Sequence, residues 1–441
     1  MRKDIVGPVL LEERRKQGKT QQMMADALGI GTTTISSIER GLPTVADEKY
    51  IEYAKFLGKA EELFGIIDEM MERERGVMQE LQHIEDVLTA VPETALKQID
   101  GFPDLHIFRD ASAFASFLRG RVYYEQKKYG KAKKQLELTL KTLDQCPNLA
   151  NSNLPPICYN DLARIAFYES NDYEKAWQLT QKAIDCFVDD GDRKYYKIFL
   201  YFNQAIYLEQ LNRIEEACQY LEYLLDNPDS FKDHLSISIQ VYERYALLLK
   251  KLDMPLKALK YVQKGLQKAW KNRSYKRLFS IWSTMGSILT QLGQLDEAKI
   301  RYQKSLDLVS YVSKNSPLIA DTYYRFGKLL RDRKEYKEAE QQLLLATKYS
   351  EKTNDIDTRL HSYATLGDVQ LKLNKKSSAS ESFNKVRELL DSPNDENVVT
   401  VDIYIMLSDF YSIIGDESML KHYQDLAWKE WRKGGVKHVV L

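Results

Sequence analysis

The stretch FGKLLRDRKEYKEAEQQL, residues 326–343, sets Gly327, Ala339 and Leu343 at intervals of 12 and 4. Three other stretches keep that spacing: LRGRVYYEQKKYGKAKKQL with Gly120, Ala132 and Leu136, MGSILTQLGQLDEAKIRY with Gly286, Ala298 and Tyr302, and LGDVQLKLNKKSSASESF with Gly367, Ala379 and Phe383. A Gly lets one helix approach its partner closely, and an Ala at a fixed distance fits the same crossing point. The spacing therefore predicts repeated pairs of packed helices. The Ala anchors are Ala132, Ala176, Ala217, Ala258, Ala298, Ala339 and Ala379, with Met419 in the eighth place, at steps of 44, 41, 41, 40, 41, 40 and 40 residues. In the second to fourth copies Arg164, Ala205 and Ala246 stand where the Gly would be.

This pattern resembles tetratricopeptide repeats, in which L-G-x-x-Y is followed by Ala and then a bulky residue. The usual period is about 34 residues, so a period near 40 implies longer helices or longer joints. The resemblance implies a right-handed α-solenoid of about eight repeats over residues 105–441, whose first helices line a concave surface.

Bulk composition bounds the rest. A chain of 441 residues can bury several cores. Lys+Arg and Asp+Glu both total 64, so no global charge bias points to nucleic acid or membrane, although a local patch would vanish in that sum. Cys146, Cys158, Cys186 and Cys218 are spaced 12, 28 and 32 apart, which suits neither a zinc pair nor a disulfide framework; they read as reduced core thiols. The N-terminus lacks a signal-peptide core and no run of about 18 apolar residues occurs, so a cytoplasmic protein is expected. The six histidines are scattered, and no H-E-x-x-H, G-x-S-x-G, P-loop or dinucleotide fingerprint is present. Neither catalysis, nor a metal, nor a cofactor is expected. Aromatic clusters such as VYYEQKKY and KYYKIFLYF suit helix-pair packing better than base stacking.

Near the N-terminus, TQQMMADALGIGTTTISSIERG spans Thr20–Gly41. Gly7 and Pro8 can start a first helix that runs to about Lys16, because the first turn leaves the missing proline N–H unpaired anyway. Thr20 is a candidate N-cap for a second helix with Met23, Met24, Ala27 and Leu28 on its apolar face. Gly29 stops it, and a third helix follows from about Thr32 to Arg40 with Ile35 and Ile38 inward and Gly41 beyond. Two short helices joined so briefly describe a helix-turn-helix.

The pattern resembles the Cro/phage-repressor (XRE-type) helix-turn-helix family over about the first 60 residues, placing a DNA-binding domain at 1–65 in an all-α chain. By position in that family, Thr32, Thr33 and Ser37 would face base edges, Thr34 would start the same helix, and Gln21 and Arg40 would contact the phosphate backbone. Thr offers a hydroxyl and a methyl, which suit a thymine methyl or a phosphate. The competing reading is that the three threonines only cap the helix. The family resemblance also implies that Arg14 and Glu39 pair inside the domain. Residues 1–41 hold seven Lys/Arg against five Asp/Glu, a net of +2, so two copies would be needed for firm binding.

Between the halves, residues 61–93 hold ten acidic residues against Arg73 and Arg75. Leu63, Ile67, Met70, Val77, Leu81, Ile84 and Leu88 step by four and three, with Glu74 in the missing place. Such a heptad seam in the linker, 66–104, would pair with its twin in a dimer or pack on the first repeat of its own chain.

An XRE-type domain ahead of such an array resembles the RRNPP family of peptide-pheromone receptors. That resemblance implies a transcriptional regulator: a homodimer or higher homo-oligomer on a double-stranded, palindromic operator, controlled by a short signalling peptide in the concave groove. In the tetratricopeptide register the inward residues include Asn203, Gln240, Arg244, Thr284, Asp321, Tyr324, Arg325, Lys328 and Asp368, together with Glu243, Lys250, Ser287 and Arg331. Asn203 would hold peptide backbone, Arg244, Arg325 and Lys328 a carboxylate, and Asp321 or Asp368 a cation. The other reading of these residues is a solvated inner face with internal ion pairs. A second function stays open: binding or sequestering a response regulator, with DNA binding secondary.

Overall fold

The computed structural model describes residues 1–58, 60–102, 105–228, 234–353, 355–391 and 400–433. Every regular element among them is helical. The chain divides into two compact units, Met1–Arg213 and Ile214–Leu441.

In the first unit, α1 runs Lys3–Lys16, four residues earlier than Gly7 and Pro8 suggest. Ile5 and Val6, 1% and 2% exposed, anchor the turn ahead of Pro8 in the N-terminal core, and this burial outweighs the one helix bond that proline cannot make. Helix α2 (Gln21–Leu28) is capped by Thr20, whose Oγ1 accepts the Met23 N–H at 3.2 Å, and it ends at Gly29 with φ +63°. Its buried face is Met24 and Ala25; Met23 and Ala27 are exposed, because the neighbouring helices cover only one side of so short an element. Helix α3 (Thr32–Glu39) buries Ile35 and Ile38, and α4 (Asp47–Phe56) closes the group with Tyr50 and Tyr53. Gly7 lies where α1 meets the end of α3: a Cβ there would sit 2.4 Å from the Ile38 carbonyl oxygen.

Next come α5 (Ala60–Val87), one helix through Gly65 and Gly76, and α6 (Pro92–Asp100). The seam on α5 packs on its own chain. Ile67 joins the N-terminal core, Met70 touches both cores, and Val77, Leu81, Ile84 and Leu88 pack with the first repeats. The side chain of Leu63 lies outside the described residues. Glu74 is 2% exposed, and Arg2 Nη2 reaches it at 2.5 Å.

Helix pairs then follow in order: α7 (Arg109–Glu125) with α8 (Tyr129–Leu143), and α9 (Leu154–Ser170) with α10 (Tyr173–Asp185). Helix α11 (Tyr196–Gln210) ends the first unit and α12 (Ile214–Asp226) begins the second. The second unit continues with α13 (Leu235–Lys251) and α14 (Pro255–Lys271), α15 (Tyr275–Gln291) and α16 (Leu295–Leu306), α17 (Pro317–Asp332) and α18 (Tyr336–Ser350), α19 (Ile356–Lys372) and α20 (Lys376–Leu390), and α21 (Val401–Ile414) and α22 (Glu417–Lys433). All seven anchor alanines are 0% exposed, while Met419 is half-buried. A Cβ on Gly120, Gly286, Gly327 or Gly367 would meet Leu136, Tyr302, Leu343 or Phe383 at 2.6–2.9 Å, so each Gly receives the bulky residue 16 positions on. No disulfide joins the four cysteines, all of which are among the described residues; Cys146, Cys158 and Cys218 are buried as expected and Cys186 is exposed.

Candidate DNA-reading helix and ligand cavities

Glu39, at the C-terminal end of α3, ties three other helices to it. Arg14 of α1 donates from Nε to its Oε1 at 2.5 Å and from Nη2 to its Oε2 at 3.1 Å. Tyr53 of α4 donates to Oε1 at 2.6 Å, and Gln21 of α2 to Oε2 at 2.7 Å. Burial alone would raise the Glu39 carboxyl, but these hydrogen bonds and the Arg14 charge hold it below the usual carboxylate range. Burial, and then the same contact with Glu39, push the Tyr53 phenol up.

With the end of α3 held this way, its first turn is free to face outward. Thr32 and Thr33 are exposed, and Thr34 and Ser37 are half-buried. The N-cap is Gly31, and no side chain caps the helix, so the threonines are not its cap. Ser37 Oγ donates back to the Thr33 carbonyl at 2.9 Å. Arg40 is exposed, and its carbonyl accepts from Arg109 Nη2 of α7 at 2.9 Å. Gln21 is occupied inside the domain through its amide N–H, which leaves its Oε1 as the polar end for a neighbour.

The groove residues fall in different places. Asn203, in the first unit, donates to Asn160 Oδ1 at 2.9 Å. In the second unit, Gln240 donates to the Ser236 carbonyl at 3.2 Å and Arg244 is half-buried. Thr284 is buried and donates to Glu243 Oε1 at 3.1 Å; burial pushes the Glu243 carboxyl up against the hydrogen bonds from Ser280 and Thr284. Tyr324, Arg325 and Lys328 come together with Lys250, Lys251, Ser287 and Tyr302 around a cavity of about 540 Å³. Arg325 Nε is shared by both Asp321 oxygens at 2.8 Å, and its Nη1 donates to Ser287 Oγ at 3.1 Å. Lys250 Nζ reaches the same Ser287 oxygen at 2.5 Å. Burial and the neighbouring Arg325 charge push the Lys250 ammonium down to about 8.

Tyr324 and Lys328 also line a second cavity, of about 340 Å³, with Arg331, His361, Thr365, Thr400 and Asp402. Asp368 lies 3.6 Å from Arg331 there, its carboxyl raised by burial. Thr400 Oγ1 is buried without a partner among the described residues. His361 and Thr365 were absent from the inward set, yet they stand before Gly367 where Asp321 and Arg325 stand before Gly327. The offset from the repeat Gly was the signal for them. Thr400 and Asp402 follow a segment with no such Gly, so nothing local marks them.

Elsewhere, Asp4, Glu74 and Asp110 bring carboxylate oxygens within 4.8 Å of one another. Arg2 lies among them, 2.7, 2.5 and 3.3 Å from the three, and takes the place a metal ion would need. No helix among the described residues is long and apolar enough to cross a membrane.

A helix-turn-helix family matches residues 10–64, and a tetratricopeptide repeat family matches residues 277–352. Among solved structures, the apo form of RapI is 13% identical with a TM-score of 0.62, covering 81% of this chain and 98% of that one. The apo form of the quorum sensor NprR from B. thuringiensis is 16% identical with a TM-score of 0.54, covering 81% of this chain and 99% of that one. The chain shares the fold of these two structures. It is an all-α protein with a helix-turn-helix domain ahead of tetratricopeptide-like repeats. No match to the sequence was found among curated proteins.

Proposed function

We propose that this protein is a DNA-binding transcriptional regulator whose repeats hold a short linear peptide carrying an anionic group. The observation that carries the reading is the cavity of about 540 Å³ where Lys250, Lys251, Arg325 and Lys328 converge. Asp321 is engaged by Arg325, and Asp332, the carboxylate lining the cavity, by Arg331, so the cluster keeps an excess of positive charge. A carboxylate, either the peptide's C-terminus or an acidic side chain, would recover the energy that crowding these cations costs. The second cavity, which shares Tyr324 and Lys328 with it, offers Thr400 Oγ1 and Asp402 to the next residues of the peptide.

On the DNA side, the uncapping, outward threonines of α3 support base contact by Thr32 and Thr33, with Ser37 and Thr34 behind them and Arg40 on the backbone. Two copies on a palindrome would supply the affinity that a net charge of +2 over residues 1–41 withholds. The peptide shifts DNA binding only by its difference in affinity between two arrangements of the protein.

The test is calorimetry of the full chain against a library of five- to ten-residue synthetic peptides, each made with a free and an amidated C-terminus. Peptides should bind best with an acidic residue or free terminus, and Arg325→Ala or Lys328→Ala should weaken them roughly ten- to a hundredfold, the worth of a charge-assisted hydrogen bond. Equal binding of charged and neutral peptides, or no effect of either substitution, overturns the reading.

A further inference from the structure

The charge of the repeats is unevenly spread, and one surface away from the cation cavity stands out. Residues 254–295 contain eight Lys/Arg and no Asp or Glu, in a chain whose net charge is zero. Five of these cations, Lys257, Lys260, Lys264, Lys268 and Lys271, step by three or four along α14 and form one stripe. Lys257 lies 3.8 Å from Glu222, whereas among the described residues no carboxylate lies within 4.0 Å of the other four. Five cations in one row repel one another, and beyond Glu222 only the tyrosine faces under Lys257, Lys264 and Lys268 offset them among the described residues.

Beside the stripe, Trp270 of α14, 67% exposed, forms one wall of an open pocket of about 540 Å³. Leu266 and Leu308 form other walls, and Trp282 of α15, 9% exposed, lines it from within. Arg301 and Lys304 of α16 lie 5.0 and 5.1 Å from the Trp282 ring centre and outnumber Asp307, the carboxylate that also lines the pocket. Leu256, 73% exposed, extends the apolar surface at the other end of α14.

We infer that α14 and this pocket form a docking surface for an acidic protein segment that inserts one bulky apolar side chain between Trp270 and Trp282. The lysine row selects the charge of the partner, and the pocket selects its anchor. A buried aromatic or aliphatic anchor ringed by charge is the arrangement in which a few residues carry most of the binding energy of a protein interface. A nucleic-acid backbone would satisfy the lysines, but its phosphates have no apolar group for a pocket walled by two leucines and two tryptophans.

The probe is a set of fluorescein-labelled 12-residue peptides with eight Glu or Asp and a central Leu, Phe, Trp or Ala, titrated by anisotropy into the full-length protein. The three bulky peptides should bind at least tenfold more tightly than the Ala peptide, and Trp270→Ala should erase that difference. In the Arg325→Ala background, which disables the cation cavity, the preference for the bulky peptides should persist, and the exposed double change Lys264→Glu with Lys271→Glu should weaken every peptide at least tenfold. If the Ala peptide binds as well as the others, or none binds, the surface is not such a site. Loss of binding in Arg325→Ala alone would place these peptides in the cation cavity instead. Loss of duplex DNA binding, with peptide binding intact, in the α14 double variant would assign the lysines to nucleic acid; both results overturn the inference and leave the proposed regulator standing.

Discussion

Glu39 shows how one buried carboxylate can fix the position of a short helix. Its four hydrogen bonds come from Arg14, Tyr53 and Gln21, on three different helices. Arg14→Ala would leave that charge buried with neutral donors only, at a cost of about 3–5 kcal/mol. Thermal melts should show an early loss of the N-terminal helices, and an unchanged melting curve would place Arg14 outside the folding of this domain. Because the Glu39 carboxyl is depressed in the folded protein, its contribution is present above the unfolded value and is lost as pH falls through the folded one. Thr32 and Thr33 act differently, since neither caps α3. Changing both to Ala should leave the melt alone and flatten discrimination between an operator and its mismatched form by about 1–3 kcal/mol, read from binding curves at one salt concentration.

Lys250 makes a prediction of the opposite sign. Its ammonium is pushed down to about 8, so above that pH the free cavity loses a positive charge. An anionic peptide binds the protonated form better, and its affinity should hold below pH 8 and fall as pH rises beyond it. Calorimetry from pH 7 to 9 checks this, and Lys250→Met should remove the slope.

At the scale of the element, the turn within each helix pair has one recurring feature. Lys127, Asn171, Asp253, Gly293, Lys334, Asn374 and Gly415 all have positive φ, at the joint between the first and second helices of a pair. Asn and Gly tolerate this conformation well, but a lysine does not. Lys334, at φ +62°, is exposed, so Lys334→Gly should stabilise the second unit by roughly 0.5–1 kcal/mol, seen as a raised melting temperature. Gly327→Ala should do the reverse, because its Cβ would lie 2.6 Å from Leu343 Cγ; crowding of this kind costs about 1–3 kcal/mol. These positions were legible because a helix pair is a local object: Gly, Ala and the bulky residue lie within 17 residues of one another. The start of α1 was not, because burial of Ile5 and Val6 by other helices decided it against the local rule for proline.

Across the first unit as a whole, Arg2 joins three elements. Its guanidinium meets Asp4 of α1, Glu74 of α5 and Asp110 of α7, so the helix-turn-helix domain, the linker and the first repeat share one charge centre. Arg2→Ala would leave three carboxylates in mutual repulsion, and amide exchange in α1, α5 and α7 should speed up together; protection lost in α1 alone would show that the centre does not couple them. The sequence by itself determined the helical class, the order of the two kinds of domain and the register of the repeats, because each rests on spacings shorter than one helix pair. It also grouped Arg325 with Lys328 through their distance from Gly327, and the two line one cavity. Only the tertiary structure decided that the heptad seam of α5 folds onto its own chain, since a seam is satisfied by any complementary apolar surface. Likewise it alone brought Lys250, Arg325 and Lys328 around one cavity and Thr400 and Asp402 into the next, because how far stacked helices turn from one repeat to another is set by packing summed over many side chains, and no short stretch of sequence records that sum.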